Sequence, residues 1–277
     1  MKPIAFTKMH GLGNDFMVID NLDLSIELAP EDIRQMSDRF TGIGFDQLLI
    51  VNPPSVDTAE FDYRIFNADG GEVEHCGNGA RCFARFVSDQ QLTQSKSIRV
   101  NTVTGVITLD LQHNGDVTVR MGVPVFTPEL IPFIAAEEAL FYDLDVAGKS
   151  LSVGVASIGN PHVLIRVDDV HIADVERLGP LIENHPRFPN RVNVGFMQII
   201  DRQQIKLRVF ERGVGETRAC GTGACAAVAI GHRQGLLDNT ALVSLPGGNL
   251  RLCWPDINTS IEMTGPCSTV FEGQTRM

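Results

Sequence analysis

The sequence contains no apolar run approaching the ~18 residues that a membrane span requires, and its opening Met-Lys-Pro-Ile-Ala-Phe-Thr-Lys-Met-His has no apolar signal-peptide core. Basic charge is scarce. Against 34 Asp and Glu stand 23 Lys and Arg, a formal net charge of −11, whereas general nucleic-acid binding calls for a basic face. The six cysteines, at 76, 82, 220, 225, 253 and 267, include no Cys-x-x-Cys pair, and His75 and His232 have no finger-like spacing. No metal is therefore expected, and a chain of 277 residues without a secretion signal does not need disulfide staples. With 21% charged residues and ordinary Gly and Pro counts, the chain is neither disordered nor fibrous. These absences predict a cytoplasmic protein that binds neither nucleic acid nor membrane. Its length and 43% hydrophobic content suit one large domain or two smaller ones.

An internal repeat decides for two. A shift of 144 residues lays Arg64-Ile-Phe-Asn-Ala-Asp-Gly-Gly-Glu-Val-Glu-His-Cys76-Gly-Asn-Gly-Ala80 over Arg208-Val-Phe-Glu-Arg-Gly-Val-Gly-Glu-Thr-Arg-Ala-Cys220-Gly-Thr-Gly-Ala224, with eight of seventeen positions identical. Gly13-Asn14 echoes Gly159-Asn160 at nearly the same offset. Each copy carries one Cys-Gly-X-Gly-Ala. The expected halves are residues 1–121 and 122–265, with the tail 266–277 returning to the first.

Alternating stretches predict strands over Ser97–Leu111 and Asp116–Met121, joined at His113-Asn114-Gly115, and over Leu151–Ala156, His162–Val167, Val192–Ile200, Gln204–Phe210 and Ala241–Leu245. Helices are predicted at Pro30–Phe40, with Pro in the first turn, at Ala173–Glu183, and just after the two cysteines at about 79–90 and 223–234. Ala224-Cys-Ala-Ala-Val-Ala-Ile-Gly231 is small or apolar on every side, which marks a helix buried all round. The pattern predicts an α+β fold of two pseudo-symmetric halves, each a mostly antiparallel sheet rolled around a buried central helix.

Cys76 and Cys220 each stand before a helix, where unpaired N–H groups and a positive partial charge favour thiolate and bind carboxylate. Two such units facing one ligand put a sulfur on either side of an α-carbon. A thiolate then removes the proton from one face while a thiol protonates the other, which requires an acid and base of matched pKa. Cys82, Cys225, Cys253 and Cys267 have no repeated partner and are read as core. Arg64, Arg208, Glu72 and Glu216 also repeat and are read as ion pairs or turn supports.

Five segments resemble the bacterial diaminopimelate epimerase family: His10-Gly-Leu-Gly-Asn-Asp-Phe16, Phe66-Asn-Ala-Asp-Gly-Gly-Glu72, His75-Cys-Gly-Asn-Gly-Ala-Arg81, Gly159-Asn-Pro-His162 and Glu211-Arg-Gly-Val-Gly-Glu-Thr-Arg-Ala-Cys-Gly-Thr-Gly223. The resemblance implies a cofactor-independent isomerase acting on a small-molecule amino acid, LL- or meso-diaminopimelate, in lysine and peptidoglycan precursor synthesis, and a homodimer. It also implies roles. Cys76 and Cys220 would be the acid–base pair. Gly77, Asn78, Gly221 and Thr222 would offer amides to the reacting carboxylate. Asn14, Gln47, Asn67, Asn160, Asn193, Glu211 and Arg212 would contact substrate, and His162 and Glu211 would tune the thiols. Many neutral amides suit a substrate with two ammonium and two carboxylate groups, and Arg212 can fork onto the distal carboxylate. One departure is Phe271, where a tyrosine is often found, at the dimer contact.

Three other readings stay open on sequence, one of them a metal-dependent enzyme, whose activity a chelator would abolish. Proline and hydroxyproline racemases resemble this chain in halves and cysteines, but usually have histidine where Asn78 stands. A non-enzymatic redox switch would join Cys76 to Cys220 as a disulfide and would not need Asn67, Asn160 or Arg212.

Overall fold

The computed structural model describes residues 3–73 and 76–276; His75, weighed above as a metal ligand, lies outside the described residues. The chain runs β1 (Ile4–Gly11), β2 (Asn14–Asp20), α1 (Pro30–Ser37), β3 (Gln47–Asn52), β4 (Phe61–Asn67), α2 (Gly77–Asp89), β5 (Ser97–Thr102), β6 (Gly105–Leu111) and β7 (Val117–Arg120). It continues through β8 (Tyr142–Val146), β9 (Lys149–Ser157), β10 (Pro161–Arg166), α3 (Val175–Glu183), β11 (Asn193–Asp201), β12 (Gln204–Glu211) and β13 (Gly215–Thr217). The last elements are α4 (Gly221–Arg233), β14 (Thr240–Leu245), β15 (Gly248–Cys253), β16 (Glu262–Gly265) and β17 (Ser268–Thr275). Two compact units result: Met1–Arg120 with Thr264–Met277, and Met121–Met263. Among the described residues no helix is long and apolar enough to cross a membrane.

Within the first unit the pairing order is β17–β1–β2–β3–β4–β5–β6–β7; β2–β3 and β4–β5 are parallel, the rest antiparallel. Within the second, β8–β9–β10–β11–β12–β14–β15 repeats the scheme, with β10–β11 and β12–β14 parallel and β13 added to β12. A parallel pair needs a crossover. α1 and α3 make the first crossover of their halves, α2 and α4 the second. α2 lies against β1, β2, β3, β6 and β7, and α4 against β9, β10, β11, β12, β14 and β15, so each sheet rolls around its helix. The α+β class read from the sequence is the observed one.

The central strands β2, β3, β10 and β11 are buried on both faces. Phe16, Leu49 and Tyr63 face α2, whereas Met17, Ile19, Leu48 and Ile50 pack with Ile33 and Met36 of α1 in an outer core. In the second unit Val163, Ile165, Val194 and Phe196 pack with Val175 and Ile182 of α3. Paired Arg–Glu forks brace both halves: Arg64 donates to Glu72 at 2.8 and 2.9 Å, and Arg208 to Glu216 at 2.6 and 2.7 Å.

Three local expectations are corrected. The stretch Ser97–Leu111 is two strands, broken by a turn ahead of Gly105, whose φ of 119° is left-handed. α1 stops at Ser37 because the Asp38 carboxylate accepts hydrogen bonds from the Phe40 and Thr41 amides, a local turn that competes with the helix. α2 and α4 begin at Gly77 and Gly221, two residues early, so the Gly-X-Gly segments are the first helical turns.

Candidate active site

The early helix starts change what the cysteines are. Cys76 and Cys220 are the N-cap residues of α2 and α4, both with extended backbone, and their carbonyls accept the first helical bonds from Ala80 (2.8 Å) and Ala224 (3.0 Å). Each side chain therefore projects at the end of a helix where first-turn N–H groups emerge. The glycines serve close approach. A Cβ on Gly79 would come within 2.7 Å of the Tyr63 hydroxyl, and one on Gly223 within 3.1 Å of Val209.

In the first unit Cys76 is half-buried. The two-residue turn Leu12-Gly13, with φ of 57° and 89°, delivers Asn14 to the start of β2. The Asn14 amide donates to Asp46 Oδ2 at 2.9 Å, which turns its carbonyl toward the Asn78 amide (3.2 Å) and the Cys76 thiol (3.7 Å). Asp46 is held in turn by Arg39 at 2.7 Å. Gln47 and Asn67 sit opposite each other across β3 and β4, and Gln47 Nε2 donates to Asn67 Oδ1 at 2.9 Å. Beneath the helix end lies the fully buried Arg81, which donates to the Gly77 carbonyl (3.3 Å) and Asn78 Oδ1 (3.0 Å).

In the second unit Cys220 is buried. Burial pushes its thiol well above the ordinary value, and the Glu211 carboxylate adds to the rise; the Thr222 hydroxyl and Gly223 amide oppose it. Desolvation thus outweighs these two hydrogen bonds and favours the thiol. Glu211 accepts a short hydrogen bond from Thr217. His162 is buried at the start of β10, and desolvation, followed by the nearby Arg212 charge, holds its pKa down at about 3. The neutral ring meets Asn160 Oδ1 at 2.9 Å through Nε2. Asn193 is occupied by backbone: it donates to the Pro161 carbonyl at 2.9 Å and accepts from the Arg212 amide at 3.0 Å. Arg212 itself is exposed and donates to the Asn190 carbonyl at 3.0 Å.

The sequence residues thus fall into clusters inside their own units: Cys76 with Asn14 and Asn78, Gln47 with Asn67, Cys220 with Glu211 and Thr222, His162 with Asn160, and Asn193 with Arg212. Asp46, Arg81 and Thr217 were missed. Arg81 carried a readable signal, a charge inside the apolar run Ala80-Arg-Cys-Phe-Ala84. Among the described residues no group of three or more His, Cys, Asp and Glu could hold a metal.

The family model for diaminopimelate epimerase matches residues 6–127 and 154–270. The diaminopimelate epimerase of Azotobacter vinelandii is 57% identical over 274 residues, 99% of each chain. This chain belongs to the diaminopimelate epimerase family. The diaminopimelate epimerase of Pseudomonas savastanoi pv. phaseolicola is 55% identical over the same length and share. Solved structures extend the fold beyond the diaminopimelate epimerase family. A phenazine biosynthesis protein of the PhzF family from Bacillus anthracis aligns with a TM-score of 0.73 at 18% identity, over 100% of both chains. A hydroxyproline epimerase from Agrobacterium vitis, with bound trans-4-hydroxy-L-proline, gives 0.69 at 16%, over 98% of this chain and 92% of its own.

Proposed function

We propose that this protein is a cofactor-independent epimerase that interconverts LL- and meso-diaminopimelate by moving the Cα proton between Cys76 and Cys220. The observation that carries the reading is the duplicated helix end, each with cysteine as N-cap and its carbonyl closing the first turn. One substrate binds both half-sites, with its reacting carboxylate on the first-turn amides of Gly77, Asn78, Gly221 and Thr222. Cys220, held as a thiol by burial and Glu211, is the acid; Cys76 is the base in that direction. The Cys76 thiolate takes the Cα proton, and the electron pair left on carbon delocalises into the carboxylate, stabilised by the helix ends. The Cys220 S–H bond then breaks as its proton reaches the opposite face of Cα, leaving Cys220 as thiolate and Cys76 as thiol. The reverse direction exchanges these roles.

Orientation comes from the distal end. Asn14, Gln47, Asn67, Asn160 and Asn193 meet the ammonium and carboxylate groups, and the exposed Arg212 takes the distal carboxylate. His162, neutral at physiological pH, and Glu211 set the proton affinities around the second cysteine. We further infer a cytoplasmic homodimer in lysine and peptidoglycan precursor synthesis, with β17 as its contact face; there Val270 and Phe271 are 56% and 47% exposed.

Proton NMR of LL-diaminopimelate with reduced protein in D₂O tests the chemistry. The Cα–H signal should disappear as the meso isomer grows, and neither Cys76→Ala nor Cys220→Ala should give net epimerisation. Absence of exchange by well-folded, reduced wild-type protein, or exchange of proline at the same rate, would overturn the substrate assignment.

A further inference from the structure

Two other thiols meet inside the first unit. Cys82, on α2, is fully buried, whereas Cys267, just ahead of β17, is only half-buried, a departure from the core role read from the sequence. Cys267 Sγ donates to the Arg81 carbonyl at 3.3 Å, which brings it to the residue next to Cys82, and each thiol shifts the proton affinity of the other. Arg81 also holds the preceding residue, donating from Nε to the Pro266 carbonyl at 3.2 Å. The sulfurs differ in character. Cys82 and the Arg81 and Arg85 charges draw Cys267 below the ordinary thiol value, against its burial and Asp89, while burial raises Cys82 well above it. An accessible, acidified thiol beside a buried one is the arrangement of an attacking and a resolving cysteine.

We propose that Cys267 and Cys82 form an oxidation site in which a hydroperoxide oxidises Cys267 and Cys82 closes a reversible disulfide between the tail and α2. The Cys267 thiolate attacks the peroxide, the O–O bond breaks, and Cys267 becomes sulfenic acid with release of water or an alcohol. The Cys82 sulfur then attacks the Cys267 sulfur; the S–O bond breaks, and the departing hydroxide takes the Cys82 proton as water. Two thiols are oxidised and one peroxide is reduced. A small dithiol reverses the reaction by thiol–disulfide exchange.

The test uses full-length reduced protein, stoichiometric hydrogen peroxide, alkylation of the remaining thiols, and non-reducing peptide mapping. Trypsin cuts after Arg81 and Arg85, so Cys82 leaves on peptide 82–85, apart from Cys76, and Cys267 on peptide 252–276, where fragmentation distinguishes it from Cys253. The expected result is a linked 82–85/252–276 pair through Cys267 that dithiothreitol dissolves. Cys267→Ser should abolish the link and leave Cys82 reduced. Cys82→Ala should leave Cys267 as sulfenic acid, trapped by dimedone. Before oxidation, iodoacetamide should label Cys267 roughly tenfold faster than the half-buried Cys253. The proposal is overturned if peroxide modifies Cys76 or Cys220 while peptide 82–85 stays fully alkylated. It is equally overturned if Cys267 in the wild type goes to sulfinic acid with Cys82 still reduced.

Discussion

Asn67 and Glu211 occupy matching places at the ends of β4 and β12, so the second unit carries a carboxylate where the first carries an amide. Because Glu211 raises Cys220, Glu211→Gln should lower it and increase the thiolate fraction. Alkylation of Cys220 at pH 8 should accelerate, by about tenfold for each pKa unit recovered, a rate readable by mass spectrometry. His162 offers a second test. Its pKa is about 3 in the folded protein, well below the ordinary histidine value of 6.5, so the unfolded chain takes up a proton that the folded one refuses. The stability this residue contributes is complete above pH 6.5 and is lost as pH falls toward 3, at up to ~1.4 kcal/mol per pH unit. Denaturant titrations of His162→Gln should show a flatter decline over that window. The cysteines and most of the amide residues were legible because a duplicated motif and a resemblance pointed to them. Asp46 was not, because its grip on Asn14 spans 32 residues and leaves no local pattern.

At the scale of elements, α2 is set by how closely its first turn approaches the sheet. Gly79→Ala would push a methyl against the Tyr63 hydroxyl, Leu49 and Phe16, at 2.7 to 3.2 Å. Overpacking of this kind costs about 1–3 kcal/mol. Adding Tyr63→Phe, which deletes the hydroxyl, should recover part of the loss, so a double-mutant cycle by thermal unfolding should be non-additive. The elements also divide by legibility. The hairpin of β6 and β7 alternates and was readable. β2 and β3 were not, because Phe16-Met17-Val18-Ile19 and Leu48-Leu49-Ile50-Val51 are apolar without a break. Strands sandwiched between an inner and an outer helix lose the period-two signal that marks a half-buried strand. The helix starts were misread by two residues because glycines after a cysteine look like a turn, while their use here is to let the helix approach the strands beneath it.

For the whole molecule, the proposed dimer rests on β17, an exposed strand hydrogen-bonded to β1. Phe271→Glu should shift the protein from dimer to monomer in light scattering, with the circular dichroism spectrum retained; an unchanged mass would move the contact elsewhere. The same strand bears on how the chain is made. Residues 121–263 form one unbroken unit, whereas the first unit draws on Thr264–Met277 to cover the edge of β1 and to receive the hydrogen bond that Arg81 gives to Pro266. On a ribosome that delivers residues in order, the segment synthesised first must wait with an open strand edge until the entire second unit has emerged. The half that leaves the exit tunnel earliest is the half completed last, so its β1 edge is exposed to mispairing for the longest part of synthesis.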